Sequence, residues 1–145
     1  MLQDLFPPDH VFRAKLAAQD AVMRELATRA ATLLNAPPTD LARALAAREA
    51  LGTTGIGSGI AIPHARLPTL AQPLALFARL DKPVDWQAID GQPVDLVFLL
   101  LSPEQDAGLH LQALAAVTRR LRDRDIAHAI RTATDPATIR AALVD

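Results

Sequence analysis

Three side chains in this sequence can do chemistry together: His64, Arg48 and His110. His64 ends the stretch Gly52-Thr53-Thr54-Gly55-Ile56-Gly57-Ser58-Gly59-Ile60-Ala61-Ile62-Pro63-His64, which holds four of the chain's six glycines. A neutral imidazole nitrogen can attack phosphorus as a nucleophile. A guanidinium and exposed backbone N–H groups can hold phosphate oxygens. In such a site catalysis is mostly positioning and charge neutralisation. The set therefore suits an anion, phosphate in particular. Each residue also has a plainer reading. His64 can be an incidental surface residue beside a tight turn. Arg48 can snorkel or satisfy a helix's last carbonyls. His110 can be a buried, hydrogen-bonded core histidine.

Other site types fit worse. The glycines do not form G-x-x-x-x-G-K-[S/T], and they precede a strand where a dinucleotide fingerprint precedes a helix. Neither H-x-x-x-H nor H-E-x-x-H occurs, and two distant histidines make a weak zinc site. Ser58 is flanked directly by glycines, which is not a nucleophile elbow. No cofactor and no metal is expected. His10 and His128 carry no functional assignment, since one lies in the lead-in and the other off its helix's apolar face.

The elements that must position these groups are legible as patterns. Residues 1–10 read as an irregular lead-in. Val11 to Leu16 reads as a short strand. Val22, Leu26, Arg29 or Ala30, and Leu33 recur at helical spacing, so a helix spans about 18–34 and stops at Asn35-Ala36-Pro37-Pro38. A second helix opens on Thr39 as N-cap, runs to Leu51 and ends on Gly52. Arg48 lies on its Leu41–Leu45 face. The glycine cluster reads as a shaped loop rather than a regular strand. Residues 60–62 form a strand, and Pro63 should stop regular pairing, leaving His64 just past its end.

Leu74 to Leu80 is the next strand, and 82–94 reads as a loop. Asp95 to Leu101 is apolar on both faces, as in the centre of an α/β sheet. A helix over 109–121 has His110, Leu114, Val117 and Leu121 on its inward face. That places His110 in a first turn, where imidazolium is disfavoured. Helices over 125–132 and 136–143 follow, the last with Asp135 as N-cap and Pro136 at N1.

Composition narrows the class. The chain has 145 residues, half of them hydrophobic, and a formal net charge of −1. That is enough for one domain with a real core. No basic patch and only five aromatic residues argue against nucleic acid. The absence of cysteine excludes disulfides and thiolate chemistry. The N-terminus lacks signal-peptide features, and the longest apolar run is too short to cross a bilayer. The expectation is a cytoplasmic protein with no membrane insertion.

The stretch Arg48 to His64 closely resembles the active-site signature of enzyme IIA of the phosphoenolpyruvate-dependent phosphotransferase system, fructose/mannitol type, with the nitrogen-regulatory branch nearest. The likeness continues through Trp86-Gln87-Ala88-Ile89-Asp90-Gly91 and Leu109-His110-Leu111-Gln112 and covers nearly the whole chain. The resemblance implies an α/β fold: a single-domain sandwich over 1–145, with a central mixed sheet of about five strands flanked by helices on both sides. It implies a phosphocarrier. His64 would take a phosphoryl group from a phosphorylated HPr-type carrier, His110 would support that group, and Arg48 would balance its charge. Downstream would stand a regulatory target or a IIB subunit. The chain has no cysteine-type IIB segment and no membrane segment, which favours a regulator over a sugar-transport subunit. A binding module that has lost phosphotransfer is the remaining alternative. One departure is Ala65, where the family often has glycine; Arg66 after it is either a further positive group near phosphate or a docking residue.

Overall fold

The computed structural model describes residues 2–145. The elements run α1 (Leu2–Leu5), a 3-10 turn (Pro8–His10), β1 (Val11–Ala14), α2 (Gln19–Leu34), α3 (Pro38–Ala50), β2 (Gly55–Gly57), β3 (Ile60–Ala61) and β4 (His64–Leu67). They continue with β5 (Leu74–Val84), β6 (Val94–Pro103), α4 (Ala107–Arg122), α5 (Arg124–Thr132) and α6 (Pro136–Val144). The sheet is mixed and six-stranded, in the order β1-β5-β6-β3-β2, with β4 also paired to β6. β5 and β6 run antiparallel at its centre, while β1, β3 and β4 add in parallel.

Strand alternation explains the three layers. On β5 and β6, Leu76, Ala78, Val97, Leu99 and Leu101 join Val22, Leu26, Leu41 and Leu45 of α2 and α3 in one core. Ala75, Phe77, Leu96, Phe98 and Leu100 join Val117, Leu121, Ile130, Ile139 and Leu143 in the other. Successive strand residues point to opposite faces. An unbroken apolar run such as Leu96 to Leu101 therefore needs helices on both sides, and it has them.

Several local expectations are corrected. The lead-in is a helical turn followed by Phe6, which is fully buried. Its ring sits edge-on to Phe98 at 5.6 Å and to Phe77 at 6.4 Å. Asn35, in the left-handed region at φ 52°, ends α2, so the two prolines belong to the next helix. Pro37 is the N-cap of α3 and Pro38 its first residue, and Thr39 caps nothing. Pro38 supplies the helical φ at a position whose N–H would be unpaired anyway.

The glycine cluster is partly regular strand. Gly55–Gly57 pairs antiparallel with Ile60-Ala61. Ser58 and Gly59 turn the chain with φ of 58° and 78°. Two positive φ values in succession give the turn whose twist matches a hairpin. Gly55 is required for another reason: a Cβ there would stand 2.8 Å from that of Ala88.

Pairing does not stop at Pro63. Its carbonyl still accepts from the Leu100 N–H at 3.1 Å. The parallel register to β6 is the same before it, Ile60 to Leu96, and after it, His64 to Leu100. His64 is therefore the first residue of β4. β5 also extends to Val84, through Pro83, at a register irregularity between Arg79 and Val84. Residues 82–84 thus leave the expected loop, and Val94 opens β6.

Candidate functional site

His64 is placed by the sheet. It pairs with Leu100, which faces the α4–α6 layer, so it shares a face with the next in-phase residue of β6, Ser102. Across from them α4 presents His110 from its first turn. The His64 and His110 ring centroids lie 5.1 Å apart, with the planes inclined by 55°. Arg48 approaches from the last turn of α3, and its Nε lies 3.3 Å from His64 Nε2. The three residues singled out in the sequence line one open cleft of about 640 Å³. Leu51, Arg66, Glu104 and Leu111 share its walls.

The hydrogen bonds fix the chemistry of His64. Its Nδ1 lies 2.8 Å from the Ile62 carbonyl, which can only accept, so Nδ1 carries the proton. Nε2 then holds the lone pair, and the Arg48 Nε–H donates to it. Arg48 also donates from Nη1 to the Gly52 carbonyl at 2.8 Å. One end of Arg48 thus ties down the turn after α3, while the other meets the imidazole.

His110 is a buried, hydrogen-bonded histidine at the cleft wall. It is 6% exposed, and its Nδ1 lies 2.8 Å from Ser102 Oγ, itself fully buried. Helix α4 begins at Ala107 rather than 109, with the Asp106 carboxylate accepting the Leu109 N–H at 3.0 Å.

Ser102, Glu49 and Thr54 carried no functional assignment in the sequence, although Ser102 had a usable signal: it continues the Leu96, Phe98, Leu100 phase. Leu51 and Leu111, 85% and 65% exposed, carried no assignment either, although Leu111 lies off the inward face of its helix. Among the described residues no cluster of histidine, aspartate or glutamate could hold a metal ion. Nor is any helix there long and apolar enough to cross a membrane.

Both imidazoles titrate below the ordinary histidine range. For His64 burial is the main cause; the Ile62 bond opposes it, the Arg48 charge adds to it and Glu49 opposes it. For His110 burial again leads, followed by His64 and Arg66. Burial thus favours the uncharged form of both rings. The linkage has a definite sign. The unfolded chain binds protons on these residues near pH 6.5 and the folded chain only at lower pH. Their contribution to stability is complete above pH 6.5 and is lost as pH falls from there through the folded values. The melting temperature should fall over that window, and a His110→Gln variant should fall less steeply. An equally steep fall in both would show that His110 is not one of the groups responsible.

Residues 4–145 match the family described as phosphoenolpyruvate-dependent sugar phosphotransferase system, EIIA 2. A nitrogen regulatory protein of Bradyrhizobium diazoefficiens is 46% identical over 143 residues, which is 98% of this chain and 94% of that protein. The crystal structure of nitrogen regulatory protein IIA-Ntr from Neisseria meningitidis superposes with a TM-score of 0.92 at 31% identity, covering 98% of each chain. A chain of the Escherichia coli complex of enzyme IIA-Mtl with phosphorylated enzyme IIB-Mtl superposes at 0.79 over 96% of each chain; at 17% identity it speaks for the fold alone. With a family match over almost its full length and a close relative aligned end to end, the chain belongs to the EIIA 2 family of the phosphoenolpyruvate-dependent sugar phosphotransferase system.

Proposed function

We propose that this chain is a nitrogen-regulatory phosphocarrier that accepts a phosphoryl group on His64 Nε2 from a phosphorylated HPr-type carrier. The observation that supports this most is the lone pair on Nε2. The Nδ1–H bond to Ile62 fixes it, and it faces a guanidinium in an open cleft. In the transfer the Nε2 lone pair forms the new N–P bond. The donor's P–N bond breaks, and its electron pair returns to the donor imidazole. The proton on His64 Nδ1 stays in place. Arg48 turns from Nε2 to the arriving phosphoryl oxygens, where a bidentate guanidinium neutralises charge best. The exposed Leu51 and Leu111 at the cleft offer apolar contacts to the carrier.

Phosphorylation adds nearly two negative charges at a half-buried patch. A downstream protein can read that change directly, which fits a regulator. The identity to a nitrogen regulatory protein over nearly the whole chain favours this over delivery to a IIB subunit.

The test is phosphoryl transfer from phosphoenolpyruvate through purified enzyme I and HPr-type carrier. The protein should gain one acid-labile, base-stable phosphate. A well-folded protein that gains none would leave a contact-only regulator as the better reading.

The same assay separates the two histidines. His110→Ala should still be labelled, about 10- to 100-fold more slowly, the cost of one hydrogen bond to a charged group. Complete loss of labelling with the fold intact would show that His110 is itself on the transfer path.

A further inference from the structure

We propose that Glu49 is a positioning residue for this reaction, clamping Thr54 so that the Ile62 carbonyl holds His64 in its reactive tautomer. The proposal rests on the reading of His64 as phosphoryl acceptor. Glu49 follows Arg48 in the last turn of α3, and the two side chains leave the helix in different directions. Arg48 goes to His64 and Gly52. Glu49 goes to Thr54 and takes both of its donors: the backbone N–H at 2.8 Å and the hydroxyl at 2.6 Å. Bonds to a carboxylate are short and strong, and two from one residue fix its orientation.

The clamp continues in both directions. The Thr54 hydroxyl, having donated to Glu49, accepts from the indole N–H of the fully buried Trp86 at 3.2 Å. The Thr53 hydroxyl donates to the Trp86 carbonyl at 3.2 Å and accepts the Gly55 N–H at 3.1 Å. On the other side the Thr54 carbonyl accepts the Ile62 N–H at 2.9 Å. The Ile62 carbonyl then accepts a hydrogen bond from His64 Nδ1–H at 2.8 Å. Hydrogen bonds joined by short backbone links thus connect the Glu49 carboxylate through Thr54 and Ile62 to the nitrogen opposite the nucleophilic one, with the buried Trp86 on the same Thr54 hydroxyl. The bond made by one imidazole nitrogen decides which nitrogen keeps the lone pair. With Thr54 released, the Ile62 N–H loses its partner and its carbonyl is oriented only by the pairing of its neighbours with β6, so the proton can move to Nε2. In that form Nε2 has no lone pair with which to attack phosphorus, and the lone pair on Nδ1 faces away from the cleft, towards Ile62.

The test reads the ring nitrogens of His64 by ¹⁵N spectroscopy in the unphosphorylated protein, above the imidazole titration range. The wild type should show a protonated Nδ1 and a bare Nε2. Glu49→Ala, and more weakly Glu49→Gln, should populate the Nε2–H form. Single-turnover phosphoryl uptake should fall about 10- to 100-fold, as when the partner that orients a working imidazole is removed. Thr54→Val added to Glu49→Ala should cost little more, because both changes open the same clamp. Folded Glu49 variants that keep the wild-type ring spectrum would overturn the proposal, whatever their transfer rates. The tautomer measurement needs no phosphoryl donor. A wild type that never accepts phosphate would remove the acceptor reading, while the ring spectra would still decide what Glu49 holds in place.

Discussion

A His64→Gln variant is expected to fold normally and take up no phosphoryl group. The side chain is half-buried at the start of a four-residue strand, and its backbone pairing with β6 does not depend on the ring. What is lost is the bond-forming atom, so the rate should drop on the order of 10⁴-fold or more. The other three histidines offer no bypass. His110 is 6% exposed with Nδ1 held by Ser102. His10 is bonded through Nδ1 to the Ala75 carbonyl at 2.9 Å, and His128 lines a separate cleft with Arg122 and Arg131. Stoichiometric labelling of the variant by the phosphorylated carrier would remove His64 from the mechanism.

Arg48→Ala is expected to lower the transfer rate at saturating carrier by about 10²- to 10³-fold, the usual loss when one preorganised charge-stabilising donor is removed. The guanidinium already sits 3.3 Å from the nitrogen that forms the new bond, so it need only turn to meet the phosphoryl oxygens. The same substitution frees the Gly52 carbonyl, a loss of about 1 kcal/mol in stability for one hydrogen bond. Arg48→Lys should recover part of the rate, because a point charge balances phosphate without matching its geometry. A rate for Arg48→Ala within threefold of the wild type would show that the charge is balanced elsewhere, with Arg66 of the same cleft the first residue to replace.

Much of this site could be read before the fold. Helix phase alone placed Arg48 and His110 facing inward, because α3 and α4 are regular and each carries an apolar stripe. The run Leu96 to Leu101 announced a central strand with two covered faces. The hairpin was harder. Its strands are three and two residues long, too short for periodicity, and its glycines signal a turn more loudly than a strand. Pro63 misled in the same way: a missing donor reads as the end of pairing, but its carbonyl bridges the gap to β4. Least legible were the contacts between distant positions. Trp86 reaches Thr54 across 32 residues, and Arg140 holds the Phe6 carbonyl at 2.6 Å across 134, anchoring a lead-in that has no pattern of its own. The tautomer of His64 belongs to this group too. Ile62 is only two residues away, yet which of its groups meets the ring depends on the path of the backbone between them.

On this reading the phosphoryl group arrives on one particular nitrogen, His64 Nε2. The most direct measurement is ¹⁵N and ³¹P spectroscopy of the wild-type protein, ring-labelled and phosphorylated through the carrier chain. The expected result is a phosphorus–nitrogen coupling at His64 Nε2, with the Nδ1 proton retained on its bond to Ile62. Coupling at Nδ1 of His64, or at any other residue, would contradict it.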